Sequence, residues 1–244
     1  MTDRVPDLEF IRVEVHERYA VLTLNRPEKR NALSLRLQEN LRAALDYLRD
    51  KAAVIVVTGA GPAFCAGVDL KESAALVESG SPVKLGRVWF ETLDLIRRHP
   101  AIFIAAVNGF ALGGGLTLVN TCELAIASSE ATFGMPELGF GEFPGLAGAT
   151  TLKSVLPKHA AQMILTADRL TAEQARASGI VNAVIAPDEL VKTAEALAQS
   201  IARHDATTLR VSKRALWELR EMPWTASIER GMWLSTLSRG EAPE

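Results

Sequence analysis

The sequence predicts an α/β layer fold, and three observations carry that prediction. Continuous apolar runs of strand length recur at Ala53–Thr58, Ala101–Val107 and Leu124–Ala127. Runs without polar alternation mark strands buried on both faces, as in a parallel sheet covered by helices. Between the runs lie stretches with helical apolar spacing: Leu37, Leu41, Ala44, Leu45 and Leu48, then Val88, Leu95 and Ile96. The resulting β-α-β-α-β order favours right-handed crossover units.

The elements follow in order. Arg12–Asn25 alternates around Val13, Val15, Val21, Leu22 and Leu24, which predicts two strands turning at His16–Tyr19. Arg26–Asn31 is a polar, proline-containing loop, and Ser34 is placed to cap the helix that runs to Asp50. Ala63–Leu70 reads as an apolar loop with a lone Asp69. Ser73–Pro82 reads as a small, polar, mobile segment, and Val83–His99 as an amphipathic helix. Phe133–Gly148 is rich in glycine and proline and holds Glu137 and Glu142. Thr171-Ala-Glu-Gln174 is a capping box with Gly179 as the stop. Val181–Ala186 is a short strand, Pro187 opens a helix, and two further helical patterns meet at Pro223.

Composition narrows the function. A chain of 244 residues with 48% hydrophobic and 23% charged residues suits one large globular domain, or a domain with an appended helical segment. Its net charge of −2 argues against nucleic-acid binding, which needs a basic face. No apolar run approaches a membrane span and MTDRVPDLEF carries no secretory h-region, so the expected location is cytoplasmic. Cys65 and Cys122 are expected as reduced core thiols. The four scattered histidines are expected at the surface or boundary, with no metal site.

The stretch that needs a special reason is Gly113-Gly114-Gly115, between an apolar run and the apolar Leu116, Leu118 and Val119. Three glycines are poor helix formers, each about 1 kcal/mol worse than alanine. One reading is a helix N-terminus offering a bare N–H to a negatively charged oxygen. The other is clearance for helix-on-strand packing, and the stretch alone does not choose between them. Generic nucleotide motifs are absent: the third glycine of a dinucleotide fingerprint is missing at Leu118, and there is no Walker loop or nucleophile elbow. The cations of Arg26–Arg30 fit a solvated loop or a phosphate contact.

Four blocks together carry a resemblance: NRPEKRNAL (25–33), TGAGPAFCAGVDL (58–70), AAVNGFALGGG (105–115) and FGMPELGFGEFPG (133–145). In their order and spacing they resemble the signature blocks of the enoyl-CoA hydratase/isomerase family, the crotonase superfamily. TADRLTAEQARASGIVN (166–182) is similar too. The resemblance implies a spiral of ββα units over residues 1–186, and a C-terminal helical region over 187–244 that builds a homotrimer or a hexamer of two trimers. Trp217, Trp224 and Trp233 make that region more aromatic than a solvated tail. It implies an acyl-CoA thioester substrate in fatty acid metabolism, and no cofactor beyond the coenzyme A of the substrate.

Residue by residue, the resemblance gives the thioester oxygen two backbone donors, the N–H groups of Val68 and Gly114. Lys29, Arg30, Ala32, Ala66, Asp69 and Leu70 would border the CoA, and Val88, Trp89 and Phe143 are candidates for apolar walls. Hydratases of the family resemble one another in two catalytic glutamates. The second is present as Glu137; the position of the first is Thr117. Hydration needs a water activated and a proton delivered, which two carboxylates do naturally. Moving a double bond needs one base, and isomerases of the family resemble this chain in keeping only the second glutamate. The expectation is therefore 3-enoyl-CoA to 2-enoyl-CoA isomerisation through Glu137. The alternatives are a hydratase of low or unusual activity, with Thr117 and Glu142 in support, and a catalytically silent acyl-CoA-binding protein. Glu123 is expected to be structural.

Overall fold

A computed structural model describes residues 6–81 and 84–239. Its main sheet has six strands: β1 (Ile11–Val15), β2 (Tyr19–Leu24), β3 (Val54–Gly59), β5 (Ile102–Val107), β7 (Leu124–Ser128) and β10 (Ala183–Ile185), adjacent in that order. β1 and β2 are an antiparallel hairpin; from β2 onward every neighbour is parallel. A second sheet takes β4 (Ala63–Cys65), β6 (Phe110–Leu112), β8 (Thr132–Gly134) and β9 (Leu170–Thr171), parallel except for the last pair.

The chain alternates between the two sheets. β3 leads to β4 and then to α2 (Leu70–Glu78) and α3 (Lys84–Arg98); β5 leads to β6 and α4 (Gly114–Thr121); β7 leads to β8 and α5 (Gly145–Ser154). These are three successive turns of a ββα spiral. Each long apolar strand splits its side chains between two cores. Ile55, Val57, Phe103, Ala105 and Val107 face one core, shared with α1 (Leu35–Leu48), α3 and α4. Val54, Val56, Ile102, Ile104 and Ala106 face another, closed by Leu190, Ala194, Ala198 and Ala202 of α8 (Leu190–Ala202). Burial on both faces is why these runs lack polar alternation.

Several local expectations hold. Ser34 accepts the Leu37 N–H at 3.1 Å and opens α1. Thr171 and Gln174 form the reciprocal capping box of α7 (Ala172–Ser178), which ends at Gly179 with φ +87°. The C-terminal pair, α9 (Ala206–Glu218) and α10 (Trp224–Ser238), meets at Pro223. α6 (Pro157–Thr166) completes the helices.

Three expectations need correction. The segment from Ser73, expected to be a mobile loop, is largely α2, because Asp69 accepts the Lys71 and Glu72 N–H groups and caps it. Pro82 and Val83, which close that segment and open the next helix in the sequence reading, lie outside the described residues. The loop expected at 63–70 contains β4, and residues 110–112, to which the sequence reading gives no element, are β6; both are too short for periodicity to reveal. His99 is not at the surface. It is 2% exposed, with Nε2 on the Leu45 carbonyl at 2.9 Å and Nδ1 accepting the Ala101 N–H at 3.1 Å. The two cysteines are free and buried, and burial pushes the Cys65 thiol to about 12.

Candidate active site

β6 enters α4 through Gly113, whose φ of +49° suits glycine. The Gly113 N–H donates to Gly134 at 2.9 Å and ties this turn to the end of β8. Gly114 is the first residue of α4, so its N–H has no acceptor within the helix. A Cβ on Gly115 would come within 2.1 Å of the Cys65 carbonyl oxygen, and one on Gly114 within 2.6 Å of Leu33 Cδ1. The two readings of the glycines therefore apply to different residues. Gly115 is needed for clearance, while Gly114 also presents an N–H at a helix start.

A second segment packs on this turn. The Gly67 Cα lies 3.6 Å from where a Gly114 Cβ would sit. Leu33 donates its N–H to Gly67 at 2.8 Å and accepts from the Asp69 N–H at 3.2 Å. That parallel bridge pairs Leu33 with Val68 while using the polar groups of Val68's neighbours, so the Val68 N–H points away from Leu33.

Glu137 reaches the same turn from a short 3-10 turn (Pro136–Phe140) after β8. Its Oε1 would lie 2.7 Å from a Cβ on Gly113, and its Oε2 is buried with no hydrogen-bond partner among the described residues. Burial raises its pKa above the ordinary carboxylate value. Its own backbone N–H opposes that shift, and the negative charge of Glu142 adds to it. A half-buried carboxylate with a free oxygen and a raised pKa is suited to accept a proton.

Thr117 is fully buried. Its hydroxyl donates to the Gly114 carbonyl at 2.6 Å and accepts the Trp89 indole N–H at 2.6 Å. Trp89, on α3, is completely buried, whereas Phe143 is 64% exposed. Glu142 is also exposed; its N–H donates to the Glu137 carbonyl at 3.1 Å.

The residues expected to border CoA are brought together through backbone. Ala66 N–H donates to Arg30 at 3.0 Å, and Arg26 reaches both the Ala32 carbonyl and the Asp69 carboxylate, at 3.2 and 2.7 Å. Burial disfavours the Asp69 charge, but Arg26 and the capping N–H groups outweigh it and hold the carboxyl below its usual range. The Asp69 side chain is thus committed to Arg26 and α2, while Lys29, Arg30 and Leu70 are exposed. Asn31 was missed as an organiser. At φ +56° it accepts the Arg26 N–H and donates to the Ala60 and Ala63 carbonyls. An asparagine ending a polar loop, a residue that tolerates left-handed backbone, was the available signal. Among the described residues, no group of three or more His, Cys, Asp or Glu could hold a metal, and no helix is long and apolar enough to cross a membrane.

A family model described as enoyl-CoA hydratase/isomerase matches residues 14–238. The chain belongs to the enoyl-CoA hydratase/isomerase family. It is 36% identical over 227 residues to a mevalonyl-coenzyme A hydratase of Aspergillus fumigatus, covering 91% of this chain and 84% of that one. It is 35% identical over 216 residues to a short-chain-enoyl-CoA hydratase of Clostridium acetobutylicum, covering 86% and 82%. Among solved structures, an enoyl-CoA hydratase of Mycobacterium smegmatis superposes with a TM-score of 0.88 at 28% identity, covering 96% of this chain and 98% of that one. Membership fixes the crotonase-type fold and an acyl-CoA substrate class.

Proposed function

We propose that this family member isomerises a 3-enoyl-CoA to a 2-enoyl-CoA with Glu137 as its single base. The Glu137 carboxylate removes a proton from C2, and the C–H electron pair moves into a dienolate with its charge on the thioester oxygen. The N–H groups of Val68 and Gly114 hold that oxygen, and such donors are worth about 3 kcal/mol each when aimed at developing charge. Protonated Glu137 then returns the proton at C4, which leaves the double bond between C2 and C3. Glu142 acts on the base through its charge.

The observation that carries this reading is the contrast between positions 137 and 117. Glu137 stands beside Gly113 with an unpartnered oxygen, while the Thr117 hydroxyl already gives its proton to Gly114. Hydration would need a second proton-transfer group there. The hydratase names of the relatives favour a second reading, hydration of a 2-enoyl-CoA. One experiment separates the two. Incubation with 3-enoyl- and 2-enoyl-CoA in deuterated water, read by mass spectrometry, should give isomerised product, with deuterium at C4 to the extent that the proton on Glu137 exchanges with solvent before it is returned. Rapid 3-hydroxyacyl-CoA formation without isomerisation would put the hydratase reading in its place, and no exchange or turnover would leave a silent binder.

The same reading has Lys29 or Arg30 meeting CoA phosphate, so a CoA ester should bind far tighter than its free acid in calorimetry. Equal affinity would remove that contact. Assembly into a trimer, or two trimers, fits the apolar surface of the C-terminal helices, where Trp224 is 81% and Met232 62% exposed. Light scattering that gives a monomer at micromolar concentration would exclude it.

A further inference from the structure

We propose that Trp89 and Thr117 form a single positioning unit that holds the Gly114 N–H on the thioester oxygen and keeps position 117 out of proton transfer. The inference rests on the enolate reading above and adds residues to it.

A threonine hydroxyl has one proton and two lone pairs. Here the proton goes to the Gly114 carbonyl and one lone pair takes the Trp89 indole N–H, both at 2.6 Å. The backbone N–H of Thr117 donates to the Gly113 carbonyl at 3.1 Å. That carbonyl belongs to the peptide unit that carries the Gly114 N–H. Thr117 therefore grips two successive peptides: one through its backbone, the other through its side chain.

Trp89 locks this grip in place. Its Nε1 lies 3.4 Å from where a Gly114 Cβ would be, so the indole edge backs the same glycine. Both side chains are fully buried, and the indole has one donor, which Thr117 satisfies. Removing the Thr117 hydroxyl leaves the buried indole N–H without its partner, removing the indole takes away the donor that fixes the hydroxyl, and either change frees the turn to shift. An oxyanion donor loses its effect when displaced by a fraction of an ångström, because its worth depends on preorganisation. The arrangement also has a chemical consequence. A hydroxyl that donates to a carbonyl and accepts from an indole has no proton to offer a water, so the site is specialised towards one-base chemistry.

The test uses the full-length protein and two readouts. The first is the rate of C2-proton exchange of butyryl-CoA in deuterated water, which reports enolisation whichever overall reaction the enzyme performs. The second is the carbonyl stretch of bound, carbonyl-13C-labelled butyryl-CoA, which reports the hydrogen bonds to the thioester oxygen without turnover. Thr117→Val and Trp89→Phe should each lower the exchange kcat about 10- to 100-fold, with KM within about two-fold. The carbonyl band should move back towards its free position in both. Thr117→Ser, which keeps the hydroxyl, should restore both readouts, and the double variant should be no slower than the slower single one. Exchange at the wild-type rate in Thr117→Val, a loss confined to KM, or an unshifted carbonyl band would overturn the unit. So would multiplicative losses in the double variant, or Thr117→Ser as slow as Thr117→Val. A wild-type protein with a shifted carbonyl band but no exchange would fail the proposed function alone, and the band would still decide the role of Trp89 and Thr117.

Discussion

Glu137 Oε1 lies so close to Gly113 that a Cβ there would come within 2.7 Å of it. The proposed base and the glycine that turns the chain into α4 are therefore fitted to each other. Gly113→Ala would push the carboxylate away and place a side chain at φ +49°. The expected outcome is about 1–3 kcal/mol of lost stability and a turnover loss of about 100-fold, the usual cost of a displaced reacting group. Urea denaturation and a 3-enoyl-CoA assay measure the two. Near-normal turnover would mean that the close fit has no bearing on the chemistry.

Burial raises the Glu137 pKa, with the charge of Glu142 adding to it, and a base works only when ionised. The acid limb of kcat/KM should therefore lie above the ordinary value of 4.5, activity rising with pH through it. The stability sign is opposite. The fold disfavours the ionised form, so this group's contribution is full below the ordinary value and falls as pH rises through the raised one. Glu142→Gln removes a charge that raises the pKa, so the limb should move to lower pH with a modest change in rate. Glu137→Gln should abolish the limb and lower turnover by about 10²–10⁴-fold while acyl-CoA binding persists. A limb that stays put in Glu142→Gln would deny the coupling, and full activity in Glu137→Gln would move the base elsewhere.

Much of this was legible in the sequence because the signals were local or strongly patterned. The runs at 53–58 and 101–107 lack alternation because both of their faces are buried, and that burial defines β3 and β5. The capping box at Thr171 and the Ser34 cap are short-range chemistry. β4 and β6 were hidden, since each is three residues long and forms only by pairing across the fold, β4 with β6 and β6 also with β8. The α2 helix was hidden by small and polar residues that propensity reads as loop, while the Asp69 cap that starts it is braced by distant Arg26. At the site, the Thr117 departure was visible in one line of sequence. Its engagement with Trp89, 28 residues away, was not, because only the packing of α3 on α4 brings the two together.

His99 gives a pH-dependent stability that is independent of the site. Burial pulls its pKa down to about 4; its bond to the Leu45 carbonyl opposes the shift and the nearby Lys213 charge assists it. The neutral ring is the one the fold accepts. Its contribution should be complete above the ordinary value of 6.5 and lost as pH falls through about 4. The total is about 3 kcal/mol by proton linkage. His99→Gln should be less stable at pH 7 and should flatten the stability profile between those limits. Denaturation midpoints from pH 4 to 7 measure it, and an unchanged slope would assign the acid sensitivity to other groups.

The last prediction concerns how the C-terminal helices are fastened to the spiral. Lys213 of α9 is buried, with Nζ bonded to the Ile96 and Ala101 carbonyls at 2.8 and 2.7 Å and 3.5 Å from Glu123. Glu123 also accepts the Trp217 indole N–H and the Phe103 backbone N–H, each at 2.8 Å. One carboxylate thus joins α9 to β5 just beyond the end of α4. Burial lowers the Lys213 pKa and the Glu123 charge opposes it, so the pair is held by mutual compensation. Removing one member strands the other. Lys213→Met should cost about 3–5 kcal/mol, because a buried carboxylate loses its counter-ion. Glu123→Gln in that background neutralises the orphan while keeping an acceptor for Trp217, so the double variant should recover part of the loss. Urea denaturation of the two single variants and the double variant gives the coupling directly. A Lys213→Met cost below 1 kcal/mol, or a double variant as unstable as the sum of the singles, would show that the carbonyl bonds and the apolar stem of the lysine hold α9 without the charge of Glu123.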